Sequence, residues 1–176
     1  MKKIIEYLKL ALFMGGVLVG IQIPSFVDYY GKSLVAHLNE SNTSLEGFQN
    51  DANKYFGADL EKLITHYQKD SDPVFSNGGN NIKTIYDRNQ ALSIGLERFN
   101  QNEFSPYIEV FLYPIPEIKS EVWKSYTYNI KLDTSAIAFG LVGGLLLTAI
   151  SEFALFLLMG IGRLFNRSSH QGSVNN

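Results

Sequence analysis

Residues 136–162 read AIAFGLVGGLLLTAISEFALFLLMGIG, an apolar run interrupted by a single ionisable group, Glu152. A helix rises about 1.5 Å per residue, so crossing a hydrocarbon core takes roughly 20 mostly apolar residues. The run is long enough to span with tilt, or to span as far as Glu152 and continue along the interface. A second run, Leu8 to Val27, reads LKLALFMGGVLVGIQIPSFV. Its one charge, Lys9, sits where a long aliphatic stem reaches the near surface. The rival reading of this segment is a cleaved signal peptide, because Met1-Lys2-Lys3 is a charged start. No small-x-small cleavage site follows, and a retained anchor is the favoured reading.

Bulk composition hides this segregation. The chain has 176 residues, 18% charged and 45% hydrophobic, values ordinary for a soluble domain. Yet no charge falls between Leu10 and Ile23 or between Ala136 and Ser151. The net charge of −2 is too weak to argue for nucleic acid and no basic stripe with interleaved aromatics appears, so no nucleic-acid partner is expected. With no cysteine, disulfides, thiol catalysis and cysteine-based zinc sites are excluded. No nucleophile elbow, P-loop, dinucleotide fingerprint or zinc-protease motif is present, so the expectation is a non-enzyme without cofactor or metal. His37 and Glu40 lie at i and i+3, a spacing found in metal sites, but only His66 adds an imidazole nearby. A surface histidine beside a surface glutamate is the better reading.

Lys2, Lys3 and Lys9 flank the first run, and Arg163 and Arg167 flank the second. By the positive-inside rule both termini are cytoplasmic and residues 28–133 lie outside, in the periplasm of a Gram-negative cell. Phe26, Tyr29, Tyr30, Trp123, Tyr126 and Tyr128 suit an aromatic belt at the outer surface or, equally, a core.

Between the runs, Val27, Tyr30, Leu34, Leu38, Ser41, Leu45, Phe48, Ala52 and Tyr55 recur at steps of three and four. This is a heptad seam of the coiled-coil type, polar at Ser41. Gly57 ends or kinks that helix, and Leu60 to Lys69 forms a short amphipathic one. Ser71-Asp72-Pro73 and Asn77-Gly78-Gly79-Asn80 are turn chemistry. After them Ile82, Ile85, Asn89, Leu92, Leu96 and Phe99 repeat the seam. Tyr107 to Tyr113 is read as irregular or a short helix, with an edge strand as the alternative, and Glu117 to Tyr126 as helical. Residues 163–176 are expected to form a cytoplasmic disordered tail.

The spans also carry the candidate contact residues. Gly16 and Gly20, and Gly140 and Gly144, form a G-x-x-x-G pair in each span. In lipid, small residues let helix backbones approach closely. The pairs either close a hairpin within one chain or join protomers, the hairpin being slightly ahead. Gly140, Gly144, Thr148 and Glu152 step by four along one row, and Lys9, Gly16 and Gly20 share a face. Lys9 and Glu152 fall about 22 Å and about 28 Å from the outer ends of their spans, within lysine reach of each other. The expectation is an intramembrane ion pair. Two other readings of Glu152 stay open: headgroup solvation at the inner interface, and an ion or proton pathway.

The layout also resembles domain-of-unknown-function family 2937, small two-span inner-membrane proteins of proteobacteria. The matching residues are Gln22-Ile-Pro-Ser-Phe26 with Tyr30, His37-Leu-Asn-Glu40, Asp72-Pro-Val-Phe75 with Gly78 or Gly79, and Trp123-Lys-Ser-Tyr126. The resemblance implies two spans and a helical outer region, and no activity.

The expected fold is therefore an all-α membrane protein, two transmembrane helices flanking an extracytoplasmic helical hairpin or small bundle. The leading role is an accessory, scaffold or assembly subunit that contacts the lipid bilayer and a protein partner or a second copy. The alternative is an extracytoplasmic sensing module, and a polar tail without an output domain would make it depend on a partner.

Overall fold

The computed structural model describes residues 2–127 and 134–168, with side chains over 3–127 and 134–157. Among the described residues there are six helices and no strand: α1 (Lys2–Tyr55), α2 (Leu60–Gln68), α3 (Pro73–Phe99), α4 (Ser105–Leu112), α5 (Pro116–Ser125) and α6 (Thr134–Ser168). The chain divides into two compact units, Met1–Ser25 with Tyr128–Asn176, and Phe26–Thr127.

In the first unit the beginning of α1 and Thr134–Leu157 of α6 supply helices long and apolar enough to cross a membrane. Only 28% and 11% of their apolar windows are covered by the rest of the chain. A core helix of a water-soluble protein would be mostly covered, which these two are not. Leu10, Met14, Leu18 and Val19 on α1, and Leu141, Leu145, Leu146 and Ile150 on α6, all face outward. Pro24 sits inside α1 without ending it. The helix of α6 runs on through Ser168, so residues 163–168 are helical where a disordered tail was expected. Residues 169–176 of that tail and Tyr128 of the aromatic belt lie outside the described residues.

In the second unit the α1 seam does the packing. Val27, Tyr30, Leu34, Ser41, Leu45 and Ala52 are buried, Leu38 and Phe48 are half-buried, and only Tyr55 at the helix end stays exposed. α3 lies antiparallel to α1: Tyr30 stacks on Phe99, Arg88 bonds to His37, and Asn89 to Asn42. One cluster joins Tyr30 and Leu34 to Leu92 of α3, Val110 of α4 and Ile118 and Val122 of α5. The other joins Leu45 and Ala52 to Leu60, Leu63 and Ile64 of α2 and Ile82 of α3. Phe26 and Tyr30, candidates for an aromatic belt, are core residues at 6% and 0% exposure.

Two turn expectations resolve differently. Asn77-Gly78-Gly79-Asn80 is helical, because Asp72 caps α3 by accepting from the Val74 N–H at 2.8 Å and Pro73 occupies its first turn. Gly79 is there for space: a Cβ on it would stand 2.7 Å from the Gln68 backbone nitrogen at the end of α2. Tyr107 to Tyr113 lies largely in α4, which removes the edge-strand alternative. The end of α1 is as expected, with Gly57 left-handed at φ 63° and the Ala58 N–H bonding the Ala52 carbonyl at 3.0 Å.

α4 is pinned to α3 by one buried charge. Glu109, 1% exposed, accepts from Arg98 Nε at 2.7 Å and from Nη2 at 2.8 Å, a bidentate pair. The carboxylate raises the Arg98 guanidinium pKa above its ordinary value. Beside it, the Tyr30 hydroxyl accepts the Ile115 N–H at 2.9 Å where α5 begins, and burial pushes the phenol pKa up.

Two stability measurements follow by chemical or thermal unfolding in detergent. Ala58 holds a left-handed φ of 68°, so Ala58→Gly should stabilise by about 0.5–1 kcal/mol. Arg98→Met strands the buried Glu109 carboxylate and should cost about 3 kcal/mol or more, most of it recovered by adding Glu109→Leu.

Candidate functional site

Within the first unit, α1 and α6 meet through glycine. A Cβ on Gly16 would lie 2.6 Å from the Gly143 carbonyl oxygen and 2.8 Å from the Gly144 Cα. One on Gly20 would meet the Phe139 carbonyl and stand 2.9 Å from the Gly140 Cα. These neighbours are backbone and have no rotamer to yield, so no side chain fits. On α6 the backbone-to-backbone residue is Gly143, whose Cβ would lie 2.7 Å from the Gly16 carbonyl oxygen. The two α6 glycines singled out by spacing instead make room for side chains, Gly140 for Ile21 and Gly144 for Phe13 and Val17. Gly143 was overlooked because the motif spacing counts every fourth position, while a close crossing uses whichever backbone faces the partner.

At the other end of the same contact Lys9 Nζ donates to Glu152 Oε1 at 2.6 Å. The two side chains keep 37% and 55% of their surface, so the pair lies at the margin of the helix contact. Thr148, the next polar residue in the α6 row, bonds its own helix at the Gly144 carbonyl, 2.9 Å away.

The second unit brings together a polar cluster that the sequence pattern did not reveal. His37 Nε2 lies 2.6 Å from Glu121 Oε2 on α5, and Nδ1 lies 2.9 Å from Arg88 Nη2 on α3. Arginine only donates, so Nδ1 accepts and the Nε2–H donates to Glu121. Ser33 also donates to Glu121 at 3.1 Å, and Arg88 Nε to Glu117 at 2.9 Å. The His37 hydrogen bond holds the Glu121 carboxyl below its ordinary pKa. Glu40 stands at 3.5 Å from His37 Nδ1, farther than Arg88. Among the described residues no group of three or more histidines or carboxylates is placed to hold a metal ion. The cluster ties α1, α3 and α5 together. The only sequence signal for it is His37, since charged residues such as Arg88, Glu117 and Glu121 on amphipathic helices read as solvated faces.

The glycine contact predicts an asymmetry readable as thermal stability in detergent. Gly16→Ala and Gly20→Ala, which drive a methyl into backbone, should lower the midpoint. Gly15→Ala, with nothing within 4 Å of its Cβ, should leave the midpoint unchanged or raise it, helix propensity adding up to about 1 kcal/mol of stability. Lys9→Glu and Glu152→Lys should each destabilise, and the exchanged pair should restore the midpoint.

No curated protein and no solved structure matches the chain. The family described as "Protein of unknown function (DUF2937)" matches residues 4–164, which takes in both apolar helices and everything between them. The chain belongs to that family.

Proposed function

We propose that the protein is a non-enzymatic, two-span inner-membrane subunit that acts as a scaffold or assembly factor. Residues 8–27 and 136–162 form the spans, both termini face the cytoplasm and residues 28–133 lie in the periplasm. The observation that supports this most directly is the backbone-close contact of Gly16 and Gly20 with Phe139, Gly140 and Gly143. Two apolar helices whose outward surfaces are Leu, Val and Phe gain little from water once inserted, so packing between small residues is what holds them. The basic residues Lys2, Lys3, Arg163 and Arg167 support the orientation. Within this reading Lys9 and Glu152 neutralise each other at the cytoplasmic margin, which lowers the cost of burying either.

A second reading, extracytoplasmic sensing, is favoured by an open groove of about 840 Å³ in the second unit. Amides line it, among them Asn42, Gln49, Asn50, Asn89 and Gln90, with the Tyr86 hydroxyl. With the carboxylates of Glu46, Asp59 and Glu61 beside them, such groups offer donors and acceptors to a polar ligand that itself donates hydrogen bonds.

A natural absence of cysteine makes topology directly measurable. Cysteines placed singly at Lys3 and Asp87 should react with a membrane-impermeant maleimide from opposite sides, Asp87 in intact spheroplasts and Lys3 only after lysis. Native mass spectrometry from mild detergent should show a dimer or a defined hetero-complex. A stable monomer without a partner would count against the scaffold role.

A further inference from the structure

α4 is built inside out. Its one charged residue, Glu109, is buried against Arg98, and Ser105 and Val110 are buried with it. At 100° per residue Phe104, Ile108, Phe111 and Leu112 fall on a single face roughly 100° wide. All four are exposed, at 70%, 47%, 49% and 68%. Tyr113 continues the surface, and Trp123 of α5, 71% exposed, stands in edge contact with Phe26. A helix in water presents its charges outward and its apolar stripe inward, and the reverse arrangement needs an apolar phase on the outside.

We infer that this face of α4 docks on the lipid surface, with its apolar side chains in the headgroup and acyl boundary. The occupant follows from what α4 packs on. Val110 and, at its edge, Tyr107 belong to the cluster formed by Phe26, Val27 and Tyr30. Phe26 and Val27 are the residues that close the apolar run Leu8–Val27, where that run meets the water boundary. α4 shares one core cluster with the two residues that end that run. The four face residues carry no charge, and the exposed Tyr113 and Trp123 have the amphipathic rings favoured at a water–lipid boundary. The burial of Glu109 is then explained: pairing with Arg98 withdraws the only carboxylate of α4 from a surface where it would be repelled by lipid.

The inference rests on the two-span reading, and its test separates the two. Single cysteines at Leu112, Ile108, Val19 and Asp87 are spin-labelled in the full chain, reconstituted in nanodiscs of phosphatidylethanolamine and phosphatidylglycerol. Collision with oxygen, which concentrates in lipid, is compared with collision with a water-soluble nickel chelate. Labels at Leu112 and Ile108 should favour oxygen, and the label at Asp87 the nickel chelate. Trp123, the chain's single tryptophan, should lose emission when the nanodisc lipids carry brominated acyl chains. A Val19 label in lipid with Leu112 as open to nickel as Asp87 overturns the docking while leaving the spans intact. A Val19 label in water overturns the span reading itself. Labels at Leu112 and Ile108 shielded from both reagents mean that protein covers the face, which also overturns the proposal.

Discussion

A side chain pointing the same way every three to four residues along α1 is the constraint from which the second unit follows. Tyr30, Leu34, Leu45 and Ala52 are buried because α2, α3, α4 and α5 each have an apolar stripe that reaches this row. Three of those helices are too short to be stable alone: α2 has nine residues, α4 eight and α5 ten. They exist because each exchanges exposed apolar area for contact with the seam. Ser41 keeps its place in the row, buried and without a hydrogen-bond partner among the described residues. Its small volume is tolerated where a larger polar group would open the packing.

Polar side chains then decide which helices meet and how they are turned. The bidentate Arg98–Glu109 pair sets the rotation of α4 about its axis, and that rotation sends Phe104, Ile108, Phe111 and Leu112 outward. His37 draws α3 and α5 to the same point of α1, with Arg88 donating to one ring nitrogen and Glu121 accepting from the other. Directional bonds of this kind restrict a set of otherwise interchangeable apolar stripes to one arrangement. In the first unit glycine has the corresponding role, since Gly16, Gly20 and Gly143 leave the space in which the backbones of α1 and α6 meet.

Legibility varied with the range of the interaction. Amphipathic periodicity located the α1 seam residue by residue, and eight of its nine positions are buried or half-buried, Tyr55 being the exception. Local chemistry misled at Asn77–Asn80, where four turn-forming residues are helical because the Asp72 cap and Pro73 start α3 ahead of them. The row of α6 glycines was visible in the sequence, but Gly143 was not, since only the facing backbone selects it. The partners of His37 come from positions 51 and 84 residues away along the chain and have no local signature.

The sequence by itself determined the class of the molecule. Two long apolar runs and two helical periodicities depend only on neighbouring residues and on the rise of a helix, so they can be read along one dimension. The spacing that brings Lys9 and Glu152 within reach of each other is of the same kind. Tertiary structure decided the rest: which glycine meets backbone, which carboxylate is buried, and which face of α4 looks outward. Those outcomes depend on the rotation of each helix about its own axis relative to distant neighbours, and no local pattern encodes that angle.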